Sequence, residues 1–261
     1  MKKKALLFIH GFAGGTYDYG ELINDLELNG LFDIFSYTMK GHGNLVINKV
    51  TKDDWIKDAE YNIEKLIKYG YKEIYVVGHS MGGVIATYLG SKYKEVKKLV
   101  LAAPAFEFCN FKNNKINFID SIKLIPSIFK NYTFREMMAK YFKVPLKTVK
   151  EFSYLVNDHY EDVKKINIPI LLLWGNKDTT VPFASIKYVY DNVKSKDVEL
   201  WTIDNINHGI FNNYRYQDIK DIIFCFLTRK ENNKKAKSYK QDLAFSLDPK
   251  HTTNYIGNNN N

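Results

Sequence analysis

Short runs of aliphatic and β-branched residues alternate along this chain with stretches of helical periodicity, and this alternation restricts the fold more than any other feature. Residues 5–9, 32–37, 73–77, 98–102, 169–174 and 198–203 have the length and composition of buried strands. Between them, residues 55–69 put Trp55, Ala59, Ile63, Leu66 and Ile67 at helical spacing, and residues 81–93 form another helix-length stretch. Strands separated by helices predict parallel βαβ units. The expected class is α/β, with helices on both faces of a mostly parallel, six- to seven-stranded sheet. Sites in such sheets sit at the carboxyl ends of the strands, so the loops after residues 9, 77, 101, 174 and 203 are the candidates.

Residues 105–165 break the alternation, with helical patterns and no clear strand. Ile116, Ile119, Ile122, Ile125 and Phe129 form one apolar face, which Pro126 must kink or end. Residues 133–142 and 146–166 predict two more helices, the last turning Val149, Phe152, Leu155, Val156, Val163 and Ile166 inward. Inserted between two strands at their carboxyl ends, this segment is expected to be a helical cap over a pocket. Its residues Ile119, Ile122, Ile125, Phe129, Met137 and Met138 are candidates for holding an acyl chain. Each could equally pack the cap against the core.

The strongest chemical signal is Gly78-His79-Ser80-Met81-Gly82, directly after a predicted strand and directly before a helix. In that setting Gly-x-Ser-x-Gly makes a turn so tight that the neighbours two away from the serine must lack side chains. The Ser80 hydroxyl then stands at the sheet edge, above a helix N-terminus that favours developing negative charge. A serine nucleophile needs a base, and the base needs an orienting acid. Asp178 follows the predicted strand 169–174, and His208 follows strand 198–203. The order Ser80, Asp178, His208 is the one this architecture requires. Asp204 competes for the acid role but is followed so soon by His208 that it reads better as a turn acceptor. His159 falls inside a cap helix and His251 in the tail, so neither is a good base. Oxyanion donors are expected from the N–H of Met81, next to the serine, and of Phe12, in the loop His10-Gly11-Phe12-Ala13-Gly14-Gly15. That glycine cluster lacks the Lys-Ser/Thr of a phosphate-binding loop.

Taken together, His10-Gly11-Phe12, Gly41-His42-Gly43, Asp54-Trp55, Gly78-His79-Ser80-Met81-Gly82-Gly83, Asp178-Thr179-Thr180-Val181-Pro182 and His208-Gly209 give the chain its likeness. It resembles a serine hydrolase of the α/β-hydrolase superfamily, in the branch of small carboxylesterases and monoacylglycerol lipases. The likeness spans residues 5 to about 228. It implies a triad of Ser80, Asp178 and His208, an oxyanion hole from Phe12 and Met81, and hydrolysis of small to medium-chain esters or monoacylglycerols through an acyl-enzyme. It implies neither metal nor organic cofactor. A thioesterase or acyltransferase would use the same triad, and a ligand-binding homologue without turnover is the reading from another class. The sheet is expected to begin at what is usually the family's third strand.

Net charge is +9 over 261 residues. Residues 229–261 hold seven basic and three acidic side chains, a net +4; the first 228 hold 31 and 26, a net +5. This last segment, basic and Asn-rich without lasting periodicity, is expected to be disordered. Its charge could hold the enzyme weakly at an anionic membrane surface. No helix–turn–helix, RNP or zinc pattern supports a nucleic-acid partner. Cys109 and Cys225 lie far apart, without disulfide or zinc spacing. The apolar run behind Lys2–Lys4 stops after five residues, shorter than a signal's ~7–15. A cytoplasmic location is therefore expected. The sequence sets no oligomeric state.

Overall fold

The computed structural model describes residues 4–43, 50–107, 111–112, 115–116, 145–229 and 237–241. Its first four strands are β1 (Lys4–Ile9), β2 (Phe32–Tyr37), β3 (Ile74–His79) and β4 (Val96–Ala102). All of β3 and all of β1 except Lys4 are buried, as a parallel sheet covered on both faces requires. Two-residue strands β5 (Phe111–Lys112) and β6 (Lys115–Ile116) make a separate antiparallel pair. Then come β7 (Ile170–Gly175), β8 (Val198–Ile203) and β9 (Lys237–Gln241). The main sheet runs β2-β1-β3-β4-β7-β8-β9, and every pairing in it is parallel.

Helices α1 (Leu22–Leu28), α2 (Lys52–Lys68), α3 (Met81–Lys92), α4 (Leu146–His159), α5 (Phe183–Asn192) and α6 (Tyr216–Thr228) cover the sheet. The spacing read from the sequence explains α2: Trp55, Ala59, Ile63 and Leu66 form its buried stripe, and a Thr51–Asp54 capping box starts it. Helix α3 is different, with every residue from Met81 to Thr87 buried, because it lies between sheet and helices. On the other side, the hydroxyl of Tyr216 in α6 donates to Asp25 of α1 at 2.6 Å.

Three expectations need correcting. Residues 237–241 fall in the segment expected to be disordered, yet they form β9 beside β8. Parallel pairing is made by backbone groups, so a strand paired along one side needs little apolar signature. Second, Ile116 lies in β6 rather than on a helical face. Third, the helix expected over 146–166 ends at His159 and tightens into a 3-10 helix, Tyr160–Lys165. Of its inward residues, Phe152, Leu155, Val156, Val163 and Ile166 are buried as expected, while Val149 is half-buried. Ile119, Ile122, Ile125, Phe129, Met137 and Met138, together with the helix expected over 133–142, lie outside the described residues. So do Cys109 and His251.

At the amino ends of the strands, Lys98 of β4 is 2% exposed. Its ammonium donates to the carbonyls of Phe226, Leu227 and Arg229 at 2.9, 3.2 and 2.8 Å. These are the orphan acceptors at the end of α6, where a cation is favoured.

Candidate active site

The backbone enters Ser80 from β3 and leaves it into α3 with φ 55° and ψ −118°. A non-glycine residue there costs about 1–3 kcal/mol, so the surroundings must impose it. Three main-chain bonds do so. The Ser80 N–H donates to Ala102 O at 2.9 Å, and its carbonyl accepts from Gly83 and Ala105 at 2.9 and 3.2 Å. A Cβ on Gly78 would sit 2.4 Å from Gly82 O, and one on Gly82 would sit 1.9 Å from Ile9 O. The two glycines of the motif are therefore demanded by contact as well as by the turn.

The loop after β1 runs beside this turn, since a Cβ on Gly11 would lie 3.1 Å from Ser80 Cβ. His10, which the sequence offered only as part of a motif, holds that loop. Its Nε2 accepts from Met39 N at 2.9 Å, so the ring proton is on Nδ1, which donates to Gly11 O at 2.8 Å. Burial lowers the His10 pKa to about 4, against the smaller opposing pull of the Gly11 carbonyl, and keeps the ring neutral. Gly11 O and Phe12 N–H belong to one peptide plane and point oppositely. Fixing the carbonyl thus aims the N–H. No acceptor among the described residues takes that N–H.

The candidate acid and base come from the loops after β7 and β8. Asp178 has a fully buried side chain; Oδ1 accepts from Thr180 N at 2.8 Å and Val181 N at 2.9 Å. Its other oxygen, Oδ2, meets His208 Nδ1 at 2.7 Å. A carboxylate so placed holds the proton on Nδ1 and leaves Nε2 as the basic nitrogen. The His208 side chain is 14% exposed. Asp204, the competing acid, instead accepts from Asn176 Nδ2 at 2.5 Å. Asn176 also accepts from Asn205 N at 2.8 Å through Oδ1, which clips the acid's loop to the histidine's loop.

The structure joins these halves unevenly. His79, the residue before Ser80, bonds the His208 carbonyl through Nε2 at 3.0 Å, with the two rings 4.8 Å apart. Asp178 and His208 are bonded, whereas Ser80 Oγ makes no hydrogen bond among the described residues. His159 is engaged elsewhere, with Nδ1 2.8 Å from Asp162 and its ring on Tyr88. Among the described residues no group of three or more His, Cys, Asp or Glu could hold a metal ion, and no helix is long and apolar enough to cross a membrane. Sequence reasoning missed His10 and Asn176 as supports, because their partners are brought close only by the fold.

A family model described as serine aminopeptidase, S33, matches residues 1–215. A carboxylesterase of Bacillus subtilis (strain 168) is 26% identical over 220 residues, covering 79% of this chain and 85% of that protein. A thermostable monoacylglycerol lipase of Bacillus sp. (strain H-257) is 24% identical over 211 residues, covering 78% and 82%. The crystal structure of Paleococcus ferrophilus monoacylglycerol lipase superposes with a TM-score of 0.64 at 17% identity, over 85% of this chain and 93% of that one.

Proposed function

Because the chain belongs to the serine aminopeptidase S33 family of hydrolases, we propose that it hydrolyses carboxylic esters, with Ser80 as nucleophile, His208 as base and Asp178 as its orienting acid. The relatives named for ester hydrolysis support the reaction class. One observation carries the residue assignment: a buried carboxylate on His208 Nδ1 at 2.7 Å, in a loop bonded through His79 to the strained turn of Ser80.

In this reading Nε2 of His208 takes the Ser80 proton as Oγ attacks the ester carbonyl. The N–H groups of Phe12 and Met81 receive the charge on the former carbonyl oxygen, each worth about 3 kcal/mol. The C–O bond of the ester breaks, the alcohol leaves with the proton from His208, and the acyl group stays on Ser80. Water then gives a proton to His208 and its hydroxyl to the acyl carbon; the Oγ–acyl bond breaks, His208 returns the proton to Ser80, and the acid is released. No step calls for a metal or an organic cofactor. The substrates are small to medium-chain esters or monoacylglycerols.

The test is a panel of nitrophenyl esters from acetate to palmitate beside a monoacylglycerol, an acyl-CoA thioester and an aminoacyl nitroanilide. Ester turnover should dominate, and Ser80→Ala should lower kcat by about 10⁶-fold while abolishing labelling by a fluorophosphonate. Turnover of the thioester or the anilide with negligible turnover of every oxygen ester would overturn the assignment. The membrane-surface role of the basic tail is a separate proposal. Its test is replacement of Lys230, Lys234 and Lys235 by Gln followed by sedimentation with anionic vesicles, because a cut at 229 would also remove β9. Unchanged sedimentation would clear the tail.

A further inference from the structure

We propose that Phe152, on α4, is a positioning residue for the oxyanion donor Phe12; this deepens the reading of the site given above and rests on it. The backbone N–H of Phe12 would do the chemistry, but the chain around it has little stiffness of its own. Gly11, Gly14 and Gly15 flank it, and Ala13 holds φ 58°. His10 sets the direction of the peptide plane, as described. What holds the residue in place is its side chain.

The Phe12 ring is caged on three sides. Phe152 lies parallel to it, with ring centroids 5.1 Å apart and 16° between planes. Trp55 and His42 meet it edge-on at 5.9 and 6.0 Å, and they meet each other at 5.7 Å. Phe152, Trp55 and His42 are all buried, while Phe12 itself is half-buried. Phe152 is therefore the neighbour that covers the flat face.

The bracket behind these rings is rigid. Trp55 sits on α2 and Phe152 on α4, and the two helices are clamped where α2 begins. Lys52 N donates to Glu151 Oε2 at 3.1 Å, and its ammonium pairs with Asp158 at 2.7 Å. Glu151, next to Phe152, thereby satisfies a free N–H at the start of α2. Helix α4 and the loop after β1 thus share one aromatic stack. Among the described residues, no other ring stacks on the face of Phe12 that Phe152 covers. A donor displaced by about 1 Å can cost ~10²-fold in rate.

Steady-state kinetics of Phe152→Ala and Phe152→Leu on nitrophenyl acetate, butyrate and octanoate test the inference. Phe152→Ala should lower kcat roughly 10- to 100-fold, by one factor on all three esters, with KM held within about two-fold. Phe152→Leu, which keeps most of the volume, should lose less and carries the test if the alanine variant does not fold. Affinity for a trifluoromethyl ketone, whose hemiketal oxygen fills the oxyanion hole, should fall in step with kcat. A loss that grows with acyl-chain length and sits in KM would make Phe152 a wall of the acyl pocket and overturn the proposal. Unchanged kcat in a variant with an intact unfolding transition would overturn it as well. Retained activity in Ser80→Ala is a different failure: it would remove the reading of the site itself, whatever Phe152 does.

Discussion

At the carboxyl ends of the strands a carboxylate, Asp178, is buried; at the amino ends an ammonium, Lys98, is buried. Both are saturated with hydrogen bonds, so burial and satisfaction do not distinguish them. Their partners do. Lys98 faces three main-chain carbonyls, which take no proton near neutral pH. Asp178 faces two N–H groups and an imidazole, whose Nδ1 it holds so that Nε2 is free to accept a proton. The backbone differs in the same sense. Among the described residues, the non-glycine positions with positive φ are Ala13, Ser80, Ala103 and Asn205. All four lie in loops at the carboxyl ends, after β1, β3, β4 and β8. One end of the sheet stores strain beside a carboxylate-bound imidazole, while the other uses its charge to hold a helix.

The largest expected effect separates the two charges directly. Asp178→Asn keeps the shape but cannot hold the proton on His208 Nδ1 while accepting from Thr180 and Val181. Its kcat should fall by about 10⁴-fold, with little change in the unfolding midpoint. Lys98→Met should do the reverse. Three carbonyls lose their donor inside the protein, and unfolding free energy should drop by ~3 kcal/mol while kcat per folded molecule is unchanged. Denaturant titration and initial rates on the same two variants measure both quantities. Loss of activity at intact stability in Lys98→Met would break the comparison.

The two ends also differ in how much of them the sequence discloses. The turn at Ser80 is a local object: strand, two glycines two residues either side, helix. Its requirements fall within one short window, so Ser80 stands out as the candidate nucleophile before any fold is known. The alternation of strand and helix likewise placed Asp178 and His208 in the loops after β7 and β8, where the structure pairs them. The supports could not be found this way. His10 Nε2 meets Met39 N, 29 residues on; Asn176 meets Asp204, 28 residues on; Lys98 meets Phe226, 128 residues on. No periodicity encodes such pairings. Lys98 also sits in a run that reads as Lys97-Lys98 before Leu99, where one lysine looks like the other. Strand β9 was missed for a related reason, because its partner is the backbone of β8 rather than a pattern of side chains.

A smaller effect concerns acid. His10 stays neutral in the folded protein down to about pH 4, while the unfolded chain's histidine protonates at its usual value of 6.5. Between those limits the unfolded state holds the extra proton, so stability falls as pH falls. The contribution is intact above pH 6.5 and has lost ~3 kcal/mol by pH 4. Urea titrations of wild type and His10→Asn across this window should show a steeper acid loss in the wild type. Parallel curves would mean that His10 is protonated in place and that the Gly11 peptide is held by something else. That outcome would also weaken the case for an aimed Phe12 N–H.

The smallest effect tests whether the carboxyl end needs its clip. Asn176 touches neither Asp178 nor His208, yet it bonds Asp204 and Asn205, which lead into the histidine's loop. Asn205 is one of the strained residues, at φ 58°, so the clip acts where the chain is least inclined to stay. The neighbouring main chain already ties the loops, through Asn176 N to Ile203 O at 3.0 Å and Lys177 N to Ile206 O at 2.9 Å. Asn176→Ala should therefore loosen the Asp178–His208 pair without separating it. A fall of about 10-fold in kcat/KM is expected, with a thermal midpoint near that of the wild type. An effect as large as that of Asp178→Asn would mean that the side-chain clip, and not the main chain, holds the acid against the base. Equal stability loss and no kinetic change would put Asn176 with Lys98, as a structural residue that happens to lie at the reactive end.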